Sequence, residues 1–122
     1  MNADVIKFFH QLSTNKVIEE NLIKPLLEKL NKDYYPEGNT LPTVSNFGEI
    51  RKLLAERIAE LAEKNFDKLI NSLYRMDINE KKLHEVLYAK EKENIPSLIA
   101  DLIIERQVQR IRTQILYKEG KL

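Results

Sequence analysis

The sequence predicts an all-α fold, an irregular bundle of four to five helices, and three observations carry that expectation. Of its 122 residues only 3 are glycine and 4 proline, while 32% are charged, a balance that suits helices with solvated faces better than strands and turns. Apolar residues recur at three- and four-residue spacing along most of the chain, the period of a helix buried on one face. That period fails only over residues 32–48, where two of the three glycines and two of the four prolines collect.

The first block, residues 3–31, reads as a helical hairpin. Val5, Ile6, Phe8, Phe9 and Leu12 form a short apolar face, and Ser13, Thr14 and Asn15 are good helix N-caps. Val17, Ile18, Leu22, Ile23, Leu26, Leu27 and Leu30 continue the helical period in a second arm. Pro25 lies inside that arm; it cannot donate its backbone bond, which predicts a kink or break near 23–25.

Residues 32–48 form a long loop, and a loop of that length in a small domain is usually functional or a linker. It separates the hairpin from a three-helix block over 46–118 within one domain of 122 residues. That block opens with Asn46 and Glu49 as a capping pair and runs as one helix to Arg75. Its seam is read as Ala59, Ala62, Phe66, Leu69 and Leu73, extending back to Ala55 and flanked by Leu54, Ile58 and Leu61. The small alanines predict a close approach by a partner helix.

The stretch Ser72–Lys81, SLYRMDINEK, holds a tyrosine, an arginine and two carboxylates, and invites reading as a small active site. Helix-end chemistry explains it instead. Asp77 and Glu80 make a capping box that opens the next helix, and Arg75 meets the negative end of the preceding dipole. The helix so opened runs over about 78–91 with Leu83, Val86 and Leu87 inward. Pro96 then suits the first turn of a last helix over about 97–118. Residues 98–104, LIADLII, are apolar on nearly every side and predict deep burial against the 46–75 helix. Beyond them the pattern narrows to Ile104, Val108, Ile111 and Ile115, a seam thin enough to meet one partner helix.

Composition excludes several function classes. The chain has no cysteine, hence no disulfide, thiolate metal site or thiol catalysis. The N-terminal stretch has no apolar run of secretory length, and the most apolar segment is seven residues long against the ~20 that a membrane span needs. A cytoplasmic protein without membrane contact is the expectation. Gly38, Gly48 and Gly120 are isolated, so no phosphate-cradling loop can form. The histidines are His10 and His84; Glu80 and His84 share a helix face, yet no Glu-x-x-His or His-Glu-x-x-His occurs to suggest a metal centre. No catalytic, cofactor or metal-ligating residue is assigned, and no motif is specific enough to name a family.

Two binding readings stand. The leading one is a non-enzymatic protein–protein interaction module, with homodimerisation as one form, using Ile104, Val108, Ile111 and Ile115 or the loop aromatics Tyr34 and Tyr35. Phe47 belongs to the same aromatic set, which can equally pin the loop to the bundle. The alternative is a nucleic-acid-associated helical protein. Net charge is only +1, but residues 105–122 carry +3, with Arg106, Arg110, Arg112 and Lys118 as a basic strip.

Overall fold

A computed structural model describes residues 16–35, 46–88 and 94–120. Among these residues there are five helices and no strand, the all-α bundle that the sequence predicts. The helices are α1 (Lys16–Tyr34), α2 (Phe47–Lys64), α3 (Phe66–Arg75), α4 (Glu80–Leu87) and α5 (Ile95–Lys118). The expected first arm of the hairpin, residues 3–12, and most of the loop lie outside the described residues.

α1 runs through Pro25 without a break, contrary to the sequence expectation. Leu22, Leu26, Leu30 and Tyr34, at four-residue steps, are all buried. Burying each of these side chains is worth about 1.5–3 kcal/mol, and together they outweigh the ~3 kcal/mol that an internal proline costs. The helix also takes in residues 32–34, assigned to the loop by sequence.

α2 begins as expected: Asn46 is extended, and its Oδ1 accepts a hydrogen bond from the Glu49 amide at 2.9 Å. The single helix expected over 46–75 is, however, two. Asn65 leaves helical geometry at φ −155°, ψ 69°, its own amide donates back to the Leu61 carbonyl at 2.8 Å, and its side chain caps the Lys68 amide at 3.2 Å. One residue thus ends α2 and starts α3. The break changes the seam. In α2 the buried stripe includes Leu54, Ile58 and Leu61, the residues read as a flank, with Ile50 and, from the expected seam, Ala55, while Ala59 and Ala62 are exposed. Phe66 also faces solvent; Leu69, Ser72 and Leu73 turn inward beyond the new start.

α5 is the hub. α2 packs along it most extensively, α1 and α4 pack on it as well, and α3 folds back on α2. Pro96 sits in the first turn as expected, and every residue from Leu98 to Glu105 is buried. The thin seam is not an open strip: Ile104, Val108 and Ile111 are buried within this one chain, and only Ile115 is exposed. The sequence underestimates this burial because Glu105 and Gln107, which read as surface residues, are buried too.

Polar ties fix the helices to each other. Asp101 on α5 receives both Nε (2.5 Å) and a terminal nitrogen (3.1 Å) of Arg51 on α2. The Tyr34 hydroxyl lies 3.0 Å from Ser72 Oγ, which itself donates to the Leu69 carbonyl at 2.7 Å. Since Ser72 has one hydroxyl hydrogen, Tyr34 is the donor in its pair with Ser72. Burial pushes the Tyr34 phenol well above its ordinary value, so it stays protonated. Tyr34 is therefore a core residue that locks α1 to α3, not a docking aromatic. Phe47 is likewise buried, and Tyr35 is half-buried with Arg57 5.4 Å above its ring.

Candidate functional site

The joint between α3 and α4 organises the surface. α3 closes with Met76 as its C-cap and Asp77 in the left-handed region at φ 58°. The Asp77 amide donates to the Tyr74 carbonyl (3.0 Å) and the Ile78 amide to the Leu73 carbonyl (3.4 Å). Both are the bonds of a Schellman closure, and the buried Leu73 and Ile78 occupy the two positions that it brings into apolar contact. The capping box expected from Asp77 and Glu80 is absent. Asn79 is the N-cap of α4 and accepts from the Lys82 amide at 3.1 Å, whereas Asp77 takes the position that usually falls to glycine.

Arg75 is exposed, and the cation that serves the end of α3 comes from another helix. Arg106 of α5 donates Nε to the Met76 carbonyl at 2.9 Å, with a terminal nitrogen 4.0 Å from Asp77 Oδ2. Arg57 of α2 does the same for α1, donating Nε to the Tyr34 carbonyl at 2.8 Å. Two arginines thus close two helix ends across the bundle.

A concavity opens on either side of this joint, and both include Asp77 and Ile78 in their walls. The first, about 370 Å³, is polar: Lys82, Glu105, Arg106, Asn79 and Gln109 surround it, with Leu102 at its floor. Its charges are already matched within the protein, because Lys82 Nζ lies 3.1 Å from Glu105 Oε1 and Arg106 is held by Met76 and Asp77. Glu105 Oε2 is buried and has no hydrogen-bond partner among the described residues. One helical turn away, Asp101 has a carboxyl pushed above its ordinary value by burial, opposed by Arg51 and reinforced by Glu105. Two carboxylates four residues apart on α5 resemble an acid–base pair in spacing alone. Each is occupied by a cation from a different helix, Arg51 of α2 and Lys82 of α4, so they act as ties between helices.

The second concavity, about 350 Å³, is apolar. Ile70 and Leu73 of α3, with Leu83 and Leu87 of α4, form its walls, and Tyr74 and Tyr88 stand beside them. Tyr74 and Tyr88 are 73% and 77% exposed, and Leu87 is 37% exposed. His84 meets Tyr88 edge to face at 4.4 Å, which holds that ring at the rim. The charged side chains in the lining are Asp77 and Glu80, with no lysine or arginine among them. The helical period predicts Leu83 and Leu87 inward and gives Tyr74 and Tyr88 no role at a surface site. Tyr74 and Leu87 in fact face outward, each near the end of its short helix.

The remaining residues singled out by sequence are dispersed. Arg106 is engaged at the end of α3, Arg110 and Arg112 are partly covered, and Lys118 is exposed. They do not form one open basic strip. Among the described residues no group of histidines and carboxylates is placed to hold a metal ion, and no helix is long and apolar enough to cross a membrane. His10 lies outside the described residues. Comparison with protein-family models, with curated proteins and with solved structures finds no match for this chain.

Proposed function

We propose that this protein is a non-enzymatic protein–protein interaction module whose contact surface is the apolar groove between α3 and α4. The observation that carries the reading is the cluster of exposed Tyr74, Leu87 and Tyr88 around a concavity walled by Ile70, Leu73 and Leu83. Tyrosines around a leucine-lined groove suit a binding hot spot, since they bring large contact area with few rotatable bonds. The lining carboxylates Asp77 and Glu80 favour an apolar segment with basic flanks.

Panning a random peptide library against the wild-type protein and against a Tyr74→Ser/Leu87→Ser/Tyr88→Ser variant tests this. Enrichment on the wild type alone of peptides that pair apolar with basic residues supports the groove; the same peptides from both proteins would sink it. The nucleic-acid reading is weaker, because Arg106 is committed to Met76 and Asp77. A titration with oligonucleotides at two salt concentrations separates it: phosphate contact through Arg110, Arg112 and Lys118 requires binding that falls with salt.

A further inference from the structure

The far end of α5 mirrors the groove. From Thr113 to Gly120 every residue is exposed, so about two turns of helix extend past Ile111, the last buried residue of the element. That uncovered end nevertheless carries Ile115, Leu116 and Tyr117, which are 36%, 38% and 75% exposed, followed by Lys118. Large apolar side chains left exposed near the end of a helix make that end a candidate contact surface.

We infer that the groove between α3 and α4 receives this helix end from a second copy of the chain. The inference rests on the groove being a docking surface, as proposed above, and adds the occupant. Shape and charge both favour it. The groove offers leucine and isoleucine walls with tyrosines at its edge, and the helix end supplies Ile115 and Leu116 to fill it. The groove's lining charges are Asp77 and Glu80, and the incoming end, from Thr113 on, brings Lys118 and Lys121 against Glu119, a net charge of +1. Each chain owns one groove and one projecting end, so a reciprocal exchange about a two-fold axis would fill both grooves and close the assembly as a dimer.

The test is the solution mass of the full chain by light scattering across a concentration series, with wild type beside Leu116→Asp and Leu87→Asp. Both substitutions fall on exposed side chains, and unchanged melting curves verify that each variant is folded. Wild type should reach the dimer mass, and each variant should dissociate at a protein concentration about tenfold or more higher. Mixing the two variants should then recover part of the dimer, since the intact end of Leu87→Asp fits the intact groove of Leu116→Asp. A second readout is charge exchange: Glu80→Lys should weaken the dimer and Glu80→Lys with Lys118→Glu should restore it. A wild type that stays monomeric throughout, or variants that dimerise as wild type does, would overturn the inference. Groove-dependent peptides from the panning experiment would then still stand, so the loss of the second copy as occupant is distinguishable from the loss of the groove.

Discussion

Asp77 shows how much one backbone angle can decide. At φ 58° it sits where a side chain is disfavoured, and its carboxylate, 93% exposed, has only the 4.0 Å approach of Arg106 in return. Glycine there should stabilise the fold by up to about 1 kcal/mol, because the left-handed cap no longer strains a Cβ. Urea unfolding of Asp77→Gly should show a higher midpoint at the same slope. A lower midpoint would mean that the Arg106 contact outweighs the strain. Much of the stretch around Asp77 was legible in the sequence as a joint, because helix caps are local and leave residue signatures. The identity of the cap was not legible. Asp77 and Asn79 are both good caps, and only the left-handed turn, made possible by Leu73 and Ile78 meeting in the core, passes the role to Asn79.

At the scale of elements, the sequence is most informative where a signal is redundant and least where two registers compete. Residues 98–104 are apolar on nearly every side, Asp101 excepted, so a shift of register could hardly misplace them, and they are buried as expected. Over 50–73 apolar residues fill more than one face, and a period continuing through Asn65 made one helix of two. Asn65 is neither proline nor glycine, so nothing forbade the continuous reading. The break exists because it turns Leu69 and Leu73 to the core. Pairings between elements were hidden altogether, since no local pattern records that Arg51 meets Asp101 or that Arg106 meets Met76. The apolar groove leaves no local pattern for the same reason: its two walls belong to separate helices. Arg106→Met tests whether such a pairing holds an element in place. It keeps an apolar stem beside α3 but leaves the Met76 carbonyl without its charged donor, which should cost about 1–3 kcal/mol. Hydrogen exchange should rise first in α3 and α4; exchange unchanged there would show that the carbonyl is equally well served by water.

For the molecule as a whole, the buried charges set a pH response. Asp101 has its carboxyl raised above the ordinary 3.8, mainly by burial, although Arg51 opposes this. A carboxyl whose folded value lies above its unfolded one favours folding when protonated. Its contribution is present in full below 3.8 and declines as pH rises from there through the raised value. The melting temperature of the wild type relative to Asp101→Asn should therefore fall as pH rises across that window. A difference that grows in favour of the wild type would show that the Arg51 pair outweighs burial.

The position of α5 in chain order has one more consequence. The helix on which α1, α2 and α4 pack is the last of the five to be synthesised. Leu22, Leu26 and Leu30 of α1, and Ile50, Leu54 and Ile58 of α2, find their covering surface only after residues 98–111 have left the ribosome. Domains generally acquire structure from the N-terminus as they emerge, but here the earlier helices have too little to pack on. The nascent chain thus lacks the surface on which α1, α2 and α4 pack until the hub emerges, and their docking is expected late in synthesis.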